Sequence, residues 1–414
     1  DVTIGDTELL LPSYVNYSSF DELKEKLTEL HISEGNYNPL LLQIYKKMLV
    51  RMIIKADKES DEDTQIEELF DDLSKIGSRK EALEYYLESI GIKDSIPKNL
   101  PKSVSECHIL RIANNVKFIK DTLRLKSLPD KTSIVHYTSL HNTKFFLPMY
   151  QGNTFKPSKA KLKLYNVAYM NDPEEGRVLN RFLDRKHKTK GLLLNDQAQI
   201  NSVYLFSLSL KEDYLPMWTQ YGKNGSGVCI YFKNDNFEIG RHSSNDYLKI
   251  LQEEIKDGNK LPLYRVCYLD CEKKKNSAVF VDGIDSKDKK QIKRSLNEIE
   301  KAIEGLKKRG IRNLDWINFI NNIINEIRYL FKSVSYRHER EIRLMKYLPN
   351  ELNDKVKLEN REGSDIRLYF EYSQPILIRK IIFGPKAERT EVLKPYIKYC
   401  DPNIEIKHST IKYR

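Results

Sequence analysis

A chain of 414 residues is longer than one hydrophobic core usually grows, so two domains are expected. No run of 18 apolar residues occurs, the longest candidate (Leu40 to Ile54) is broken by Gln43, Lys46, Lys47 and Arg51, and no signal-peptide pattern opens the sequence, which argues against a membrane-spanning or exported protein. Five cysteines without a C-x-x-C pair fit a reducing, cytoplasmic compartment better than a disulfide framework or a zinc site, and a formal charge of +11 amid 31% charged residues permits a polyanionic partner without requiring one.

From Ser19 to about Thr122 the apolar residues recur at three and four, as in Phe20, Leu23, Leu27 and Leu30, then Ile66, Leu69, Phe70 and Leu73. The spacing predicts a helical region. Lys80 to Ile92 (KEALEYYLESIGI) has the texture of a helix-hairpin repeat, but no second copy follows at a fixed period. Pro129 in Ser127 to Asp130 should stop the last helix, which sets a helical N-terminal domain over 1–128, suited to sensing or to a protein partner, ahead of an α+β domain over 129–414.

Beyond that point short β-branched and aromatic runs take over: Ser133–Thr138, Ser202–Leu210, Gly227–Phe232, Leu263–Leu269, Glu341–Tyr347, Ile366–Tyr372 and Ile376–Phe383. Helical periodicity returns at Lys287–Lys308 and Leu314–Lys332, an insertion over about 285–333 with a turn at Arg309–Asn313. Strands separated by unequal helical insertions predict a split, mainly antiparallel sheet rather than a doubly wound fold. GxGxxG and GxxxxGKS/T are both absent, which disfavours Rossmann and Walker sites. The densest basic runs are Lys156–Lys163, Arg181–Lys190 and Lys287–Arg312; solvated faces are the first reading of these and phosphate or nucleic-acid contacts the second.

Four motifs carry candidate chemistry. In Ile134-Val135-His136-Tyr137-Thr138-Ser139 a histidine stands at a strand end, where it suits a ribose hydroxyl, a proton transfer or plain packing, with Thr138 or Ser139 capping the next helix. In Tyr165 to Gly176 (YNVAYMNDPEEG), Asp172 at N-cap, Pro173 at N1 and Glu175 at N3 predict a helix start, leaving Tyr169 and Asn171 able to face a pocket. In Leu215 to Gly227, Pro216 opens a short helix on which Trp218 and Tyr221 share a face, either as core or as an aromatic wall beside a glycine turn that lets a ligand near the backbone. In Tyr336 to Leu344 (YRHEREIRL), a period of two sends Ile342 and Leu344 into the core and gathers Glu339, Glu341 and Arg343 on the other face, as a salt-bridge ladder or as an E-x-E catalytic pair.

Taken in order, HYTS, YMNDPEEG, PMWxxYGxxxxGVCIxF, YRHEREIRL and Ile381 to Lys386 (IIFGPK) resemble the bacterial family catalogued as domain of unknown function 2971, over roughly Thr132 to Lys386. Their order is also similar to that of ADP-ribosyltransferases. That likeness implies NAD as substrate. It implies that His136 and Tyr137 hold the adenosine-side ribose with Thr138 or Ser139 beside it, that Tyr169 with Trp218 or Tyr221 flanks nicotinamide, and that Arg340 or Arg343 pairs with the diphosphate. Glu341 would be the catalytic carboxylate and Glu339 would orient the acceptor. The S-T-S strand of those enzymes has only a loose imitation here, Ser207-Leu208-Ser209. The expected activity is transfer of ADP-ribose to a protein or nucleic-acid acceptor, or NAD hydrolysis, in a bacterial toxin or phage-defence effector. The competing expectations are a nucleic-acid-binding or metal-dependent nuclease-like effector, with the glutamates on a divalent ion, and a non-catalytic interaction module.

Overall fold

The computed structural model describes residues 106–128, 132–147, 149–151, 154–158, 160–170, 172, 174–184, 203–239, 260–270, 279–309, 311–348, 355–360 and 366–413, with isolated positions at 83, 84, 87, 96 and 97. Most of the predicted N-terminal helices, Asn171 and Cys271 lie outside these residues. The chain divides into two compact units, Asp1–Asn114 with Glu304–Phe319, and Asn115–Ile303 with Ile320–Arg414. Within the first unit a Cβ on Gly305 would stand 2.0 Å from His108 Nε2, and Trp316 meets Phe319 edge to face.

In chain order the helices are α1 (Glu106–Leu123), α2 (Arg177–Asp184), α3 (Leu215–Gln220), α4 (Ser286–Lys308), α5 (Leu314–Arg328) and α6 (Thr390–Cys400). The strands are β1 (Ile134–Thr138), β2 (Met149–Gln151), β3 (Thr154–Ser158), β4 (Lys161–Asn166), β5 (Val203–Ser209), β6 (Val228–Phe232), β7 (Leu263–Arg265), β8 (Cys267–Leu269), β9 (Val279–Phe280), β10 (Phe331–Ser333), β11 (Glu341–Tyr347), β12 (Val356–Asn360), β13 (Ile366–Pro375), β14 (Ile378–Phe383) and β15 (Glu405–His408). The fold is mixed α+β, and its ten-stranded sheet is antiparallel except where β14 meets β15.

β5 is the hinge of that sheet. One edge pairs with β11 along its whole length, from Glu341 opposite Ser209 to Tyr347 opposite Val203, and β11 carries β7 on its far edge. The other edge of β5 is shared. Tyr204 and Leu205 pair with β4, whereas Ser209 pairs with Val135 of β1, so the sheet forks into a wing β4-β13-β12 and a wing β1-β6-β14-β15. Burial explains the composition: β5 and β6 are covered on both faces, and they read as near-continuous apolar runs rather than alternating ones. Along β1 and β6, Ile134, Val228 and Ile230 join the larger apolar cluster on one face, while Val135, Tyr137, Cys229 and Tyr231 join Met217 and Trp218 of α3 on the other.

Two local expectations change. The helix predicted to Lys332 stops at Arg328, and Phe331–Ser333 instead pairs in parallel with β8 in a separate three-stranded sheet with β9. Backbone pairing overrides the helical period there, because the carbonyl of Leu330 already receives the N–H of Cys267 at 2.8 Å. The predicted strand Leu263–Leu269 is likewise two, divided at Val266, whose N–H leaves β7 to bond the Glu341 carbonyl at 3.1 Å.

Candidate active site

Glu341 opens β11 and Glu339 ends the 3-10 helix Val334–Glu339 that precedes it. Between them Arg340 takes a left-handed conformation, φ 43°, unusual for a residue with a side chain. That turn brings the two glutamates together, so their meeting does not rest on strand alternation alone. It is held from β5, where Ser209 Oγ donates to the Glu339 carbonyl at 2.6 Å and the Leu210 N–H to the Arg340 carbonyl at 3.1 Å.

The carboxylates converge on one buried ammonium. Lys332 Nζ lies 2.8 Å from Glu339 Oε2 and 3.0 Å from Glu341 Oε2. The small sheet aims it: Lys332 on β10 is registered against Tyr268 on β8, whose hydroxyl accepts the N–H of Glu341 at 2.9 Å. Arg343 then grips Glu341 through Nε at 2.8 Å and Nη2 at 3.1 Å, grips Glu175 through Nη1 and Nη2, and donates to the Tyr329 carbonyl. Two cations serve three carboxylates.

The electrostatics follow from this count. Burial pushes Glu341 upward, yet the charges of Arg343 and Lys332, bonds from Arg343 and the Ser207 hydroxyl outweigh it and hold the carboxyl at about 2. Glu341 is therefore ionised at any ordinary pH. For Glu175 burial prevails over Arg343, and its carboxyl stands above the usual range. Lys332 and Arg343 lose by desolvation and gain more from the glutamates, so both stay charged.

Tyr221, at the end of α3, is 37% exposed and donates its hydroxyl to Glu339 Oε1 at 2.7 Å. It links the buried cluster to the surface, where His338 Nε2 approaches Gln220 Oε1 at 3.3 Å. On the other side of β5, in the fork, His136 Nδ1 lies 3.0 Å from the carbonyl of Ser207. A carbonyl can only accept, so Nδ1 carries the proton. Burial holds this imidazole down to about 4 despite that bond, and neutral Nε2 remains an acceptor. Ser207 thus touches both residues, His136 through its carbonyl and Glu341 through its hydroxyl, but strand alternation sets them on opposite faces of the sheet, His136 packed against Phe206 and Glu341 facing away from Ile342 and Leu344.

The remaining predicted residues are placed differently. Tyr137 points to the face opposite His136, donates its hydroxyl to the Lys211 carbonyl at 2.9 Å and meets Trp218 edge to face. Trp218 is fully buried and donates to Asp213 at 2.8 Å, so its ring offers no open face. The glycine turn beside it closes on protein: a Cβ on Gly227 would sit 2.2 Å from the Thr138 carbonyl. Thr138 and Ser139 accept from the Asn142 side chain and N–H in the turn after β1, whose 3-10 helix His141–Phe146 has Leu140 at its N-cap in place of either residue. Tyr169 accepts the Leu368 N–H at 3.2 Å on the β13 wing, Arg340 is exposed and paired with Asp282, and Arg343 is enclosed.

Sequence reasoning passed over Glu175 and Lys332. Glu175 was assigned to a helix start, but α2 begins only at Arg177, and Asp172 Oδ1 caps a turn through the Glu174 N–H at 2.9 Å. Gly176 makes the difference. Its φ of +75° and a contact that would put a Cβ 2.7 Å from the Tyr329 ring let the chain pass close enough for Glu175 to reach Arg343. Lys332 carried no signal, being read as the last turn of a helix. Among the described residues no group of three or more His, Cys, Asp and Glu side chains is arranged to hold a metal ion, and the space between Glu339 and Glu341 is filled by Lys332.

This geometry spans the segment that comparison picks out. Residues 217–344 match the family model described as Protein of unknown function (DUF2971). No curated protein and no solved structure gives a significant match. The DUF2971 segment runs from α3 into β11 and holds Tyr221, Lys332, Glu339, Glu341 and Arg343, while His136, Glu175 and Ser207 come from outside it. No helix among the described residues is long and apolar enough to cross a membrane.

Proposed function

We propose that this protein consumes NAD, transferring ADP-ribose to a macromolecular acceptor or to water, in the manner of an ADP-ribosyltransferase. One observation carries the reading: β5 lies between β1 and β11, its Ser207 carbonyl accepting from His136 on one face of the sheet and its Ser207 hydroxyl supporting an obligately ionised Glu341 on the other. This is the order of strand-end histidine, serine strand and late E-x-E glutamate that the sequence resembles. NAD would supply the bond between ribose and nicotinamide, whose cleavage leaves positive charge on the sugar.

The residues divide the work by position. Glu341, ionised and held rigid by Arg343, is suited to accept a ribose hydroxyl and to stabilise developing positive charge. Lys332 keeps two like charges together until a cationic centre arrives, and the carboxylate surplus over Lys332 and Arg343 favours such a centre. Tyr221 is the member that reaches solvent and covers the buried Glu339, so an acceptor or water would enter past its hydroxyl.

The test is to incubate the protein with NAD labelled in the adenylate phosphate and a cell lysate treated with nuclease or with protease. Label should enter macromolecules, and the treatment that abolishes it names the acceptor. Absence of both transfer and NAD turnover would remove the reading.

A further inference from the structure

α4 is electrically lopsided. Its residues 286–294 hold Lys287, Lys289, Lys290, Lys293 and Arg294 against one acid, Asp288. The rest of the helix is balanced, and its lysines are paired along the helix, Lys301 with Glu298 at 2.6 Å and Lys308 with Glu304 at 2.9 Å. Among the described residues none of the five cations of the first half has an ion-pair partner, and Lys287, Lys290 and Arg294 are exposed. At 100° per residue these three form one stripe, opposite the buried Ile292, Ser295, Leu296 and Ile299.

This arrangement works against the helix itself. Cations in the first turns face the positive end of the helix dipole at a cost of about 0.3–1 kcal/mol each, and neighbouring like charges add to it. An external polyanion would relieve both. The stripe is also tethered to the candidate site. Asp282, four residues before the helix, binds Arg337 Nη2 at 3.2 Å and Arg340 Nε at 3.4 Å, the two exposed arginines that flank Glu339. Four residues of chain reach at most about 14 Å. From Lys287 to Arg294 the stripe rises about 10 Å, the span of roughly three phosphates along one strand.

We infer that the first half of α4, with Arg337 and Arg340, is a docking surface for nucleic acid that leads a strand toward Glu339 and Glu341. As the acceptor's path it rests on the proposed NAD chemistry; as a binding surface it does not. The experiment therefore omits NAD. Fluorescein-labelled single-stranded DNA and RNA of mixed sequence are titrated with the whole protein, followed by anisotropy between 50 and 200 mM salt. The comparison is with a Lys287→Gln/Lys290→Gln/Arg294→Gln variant and a Lys301→Gln/Lys308→Gln control. The parent should bind at least one strand, and the triple variant should bind about tenfold or more weakly, with a salt slope lower by about 2, as expected for three lost phosphate contacts. The control should match the parent. A parent that binds neither strand at 50 mM salt, or a triple variant equal to the parent in affinity and slope, overturns the inference. Nicotinamide release, measured separately on the same proteins, reports on the NAD reading alone.

Discussion

Arg343 and Glu341, two residues apart on one strand, meet in a two-pronged ion pair with Nε–Oε1 at 2.8 Å and Nη2–Oε2 at 3.1 Å, both side chains buried. Removing one member of such a pair leaves an unpaired charge in the interior. Arg343→Met should lower unfolding free energy by about 3–5 kcal/mol in urea titrations. Arg343→Lys should recover little, because one ammonium cannot bridge Glu341 and Glu175 in the same plane. A loss within 1 kcal/mol for either variant would mean that the cluster is solvated.

Lys332→Met leaves Glu339 without its ammonium and Glu341 and Glu175 on the Arg343 guanidinium alone. The variant should lose about 3 kcal/mol or more at pH 7. Its deficit relative to the parent should shrink as pH falls toward 4, since the glutamates no longer held ionised take up protons. Thermal melts of both proteins across pH 4 to 8 check this; a deficit independent of pH would remove Lys332 from the charge balance.

His136 gives the opposite kind of pH dependence. Its folded pKa of about 4 lies below the unfolded value of about 6.5, so above 6.5 it is neutral in both states and its contribution is complete. As pH falls from 6.5 toward 4 the unfolded chain binds the proton first, and stability is lost. Between pH 7 and 5 the loss should reach about 2 kcal/mol. His136→Asn, whose amide can still donate to the Ser207 carbonyl, should flatten that part of the profile. An unchanged slope in the variant would assign it to other groups.

Gly176→Ala tests how Glu175 is delivered. A left-handed backbone and a methyl 2.7 Å from the Tyr329 ring should together cost about 2–3 kcal/mol. An alanine variant with an unchanged melting temperature would show that Tyr329 moves aside freely.

Much of the sheet was legible because covered strands carry continuous apolar runs: the predicted Ser202–Leu210, Gly227–Phe232 and Glu341–Tyr347 fall within a residue of β5, β6 and β11 at each end. β4, β12 and β15 were not, since Lys161–Asn166, Val356–Asn360 and Glu405–His408 are rich in charge and gain their structure from a neighbour's edge. In the site, the pairing of Glu341 with Arg343 could be read from the period of two in EIRLMKY, whereas Glu339 joins them through the left-handed turn at Arg340. Lys332 and Glu175 could not be read. Both arrive through tertiary events, a parallel pairing of β10 with β8 and a close pass at Gly176, that leave no period in the local sequence. Trp218 and Tyr221 show the same limit, for helical spacing put them on one face and the α3 C-terminus turned one inward and the other outward.

The most direct measurement is nicotinamide release from NAD by the purified protein and by Glu341→Gln, an isosteric change that keeps one acceptor for Arg343. With folded protein confirmed by matched circular dichroism, the parent should release nicotinamide and the variant should be slower by about two orders of magnitude or more. Equal rates in the two proteins, or no NAD binding by the parent even with nucleic acid and lysate protein present, would contradict Glu341 as the catalytic carboxylate and the account built on it.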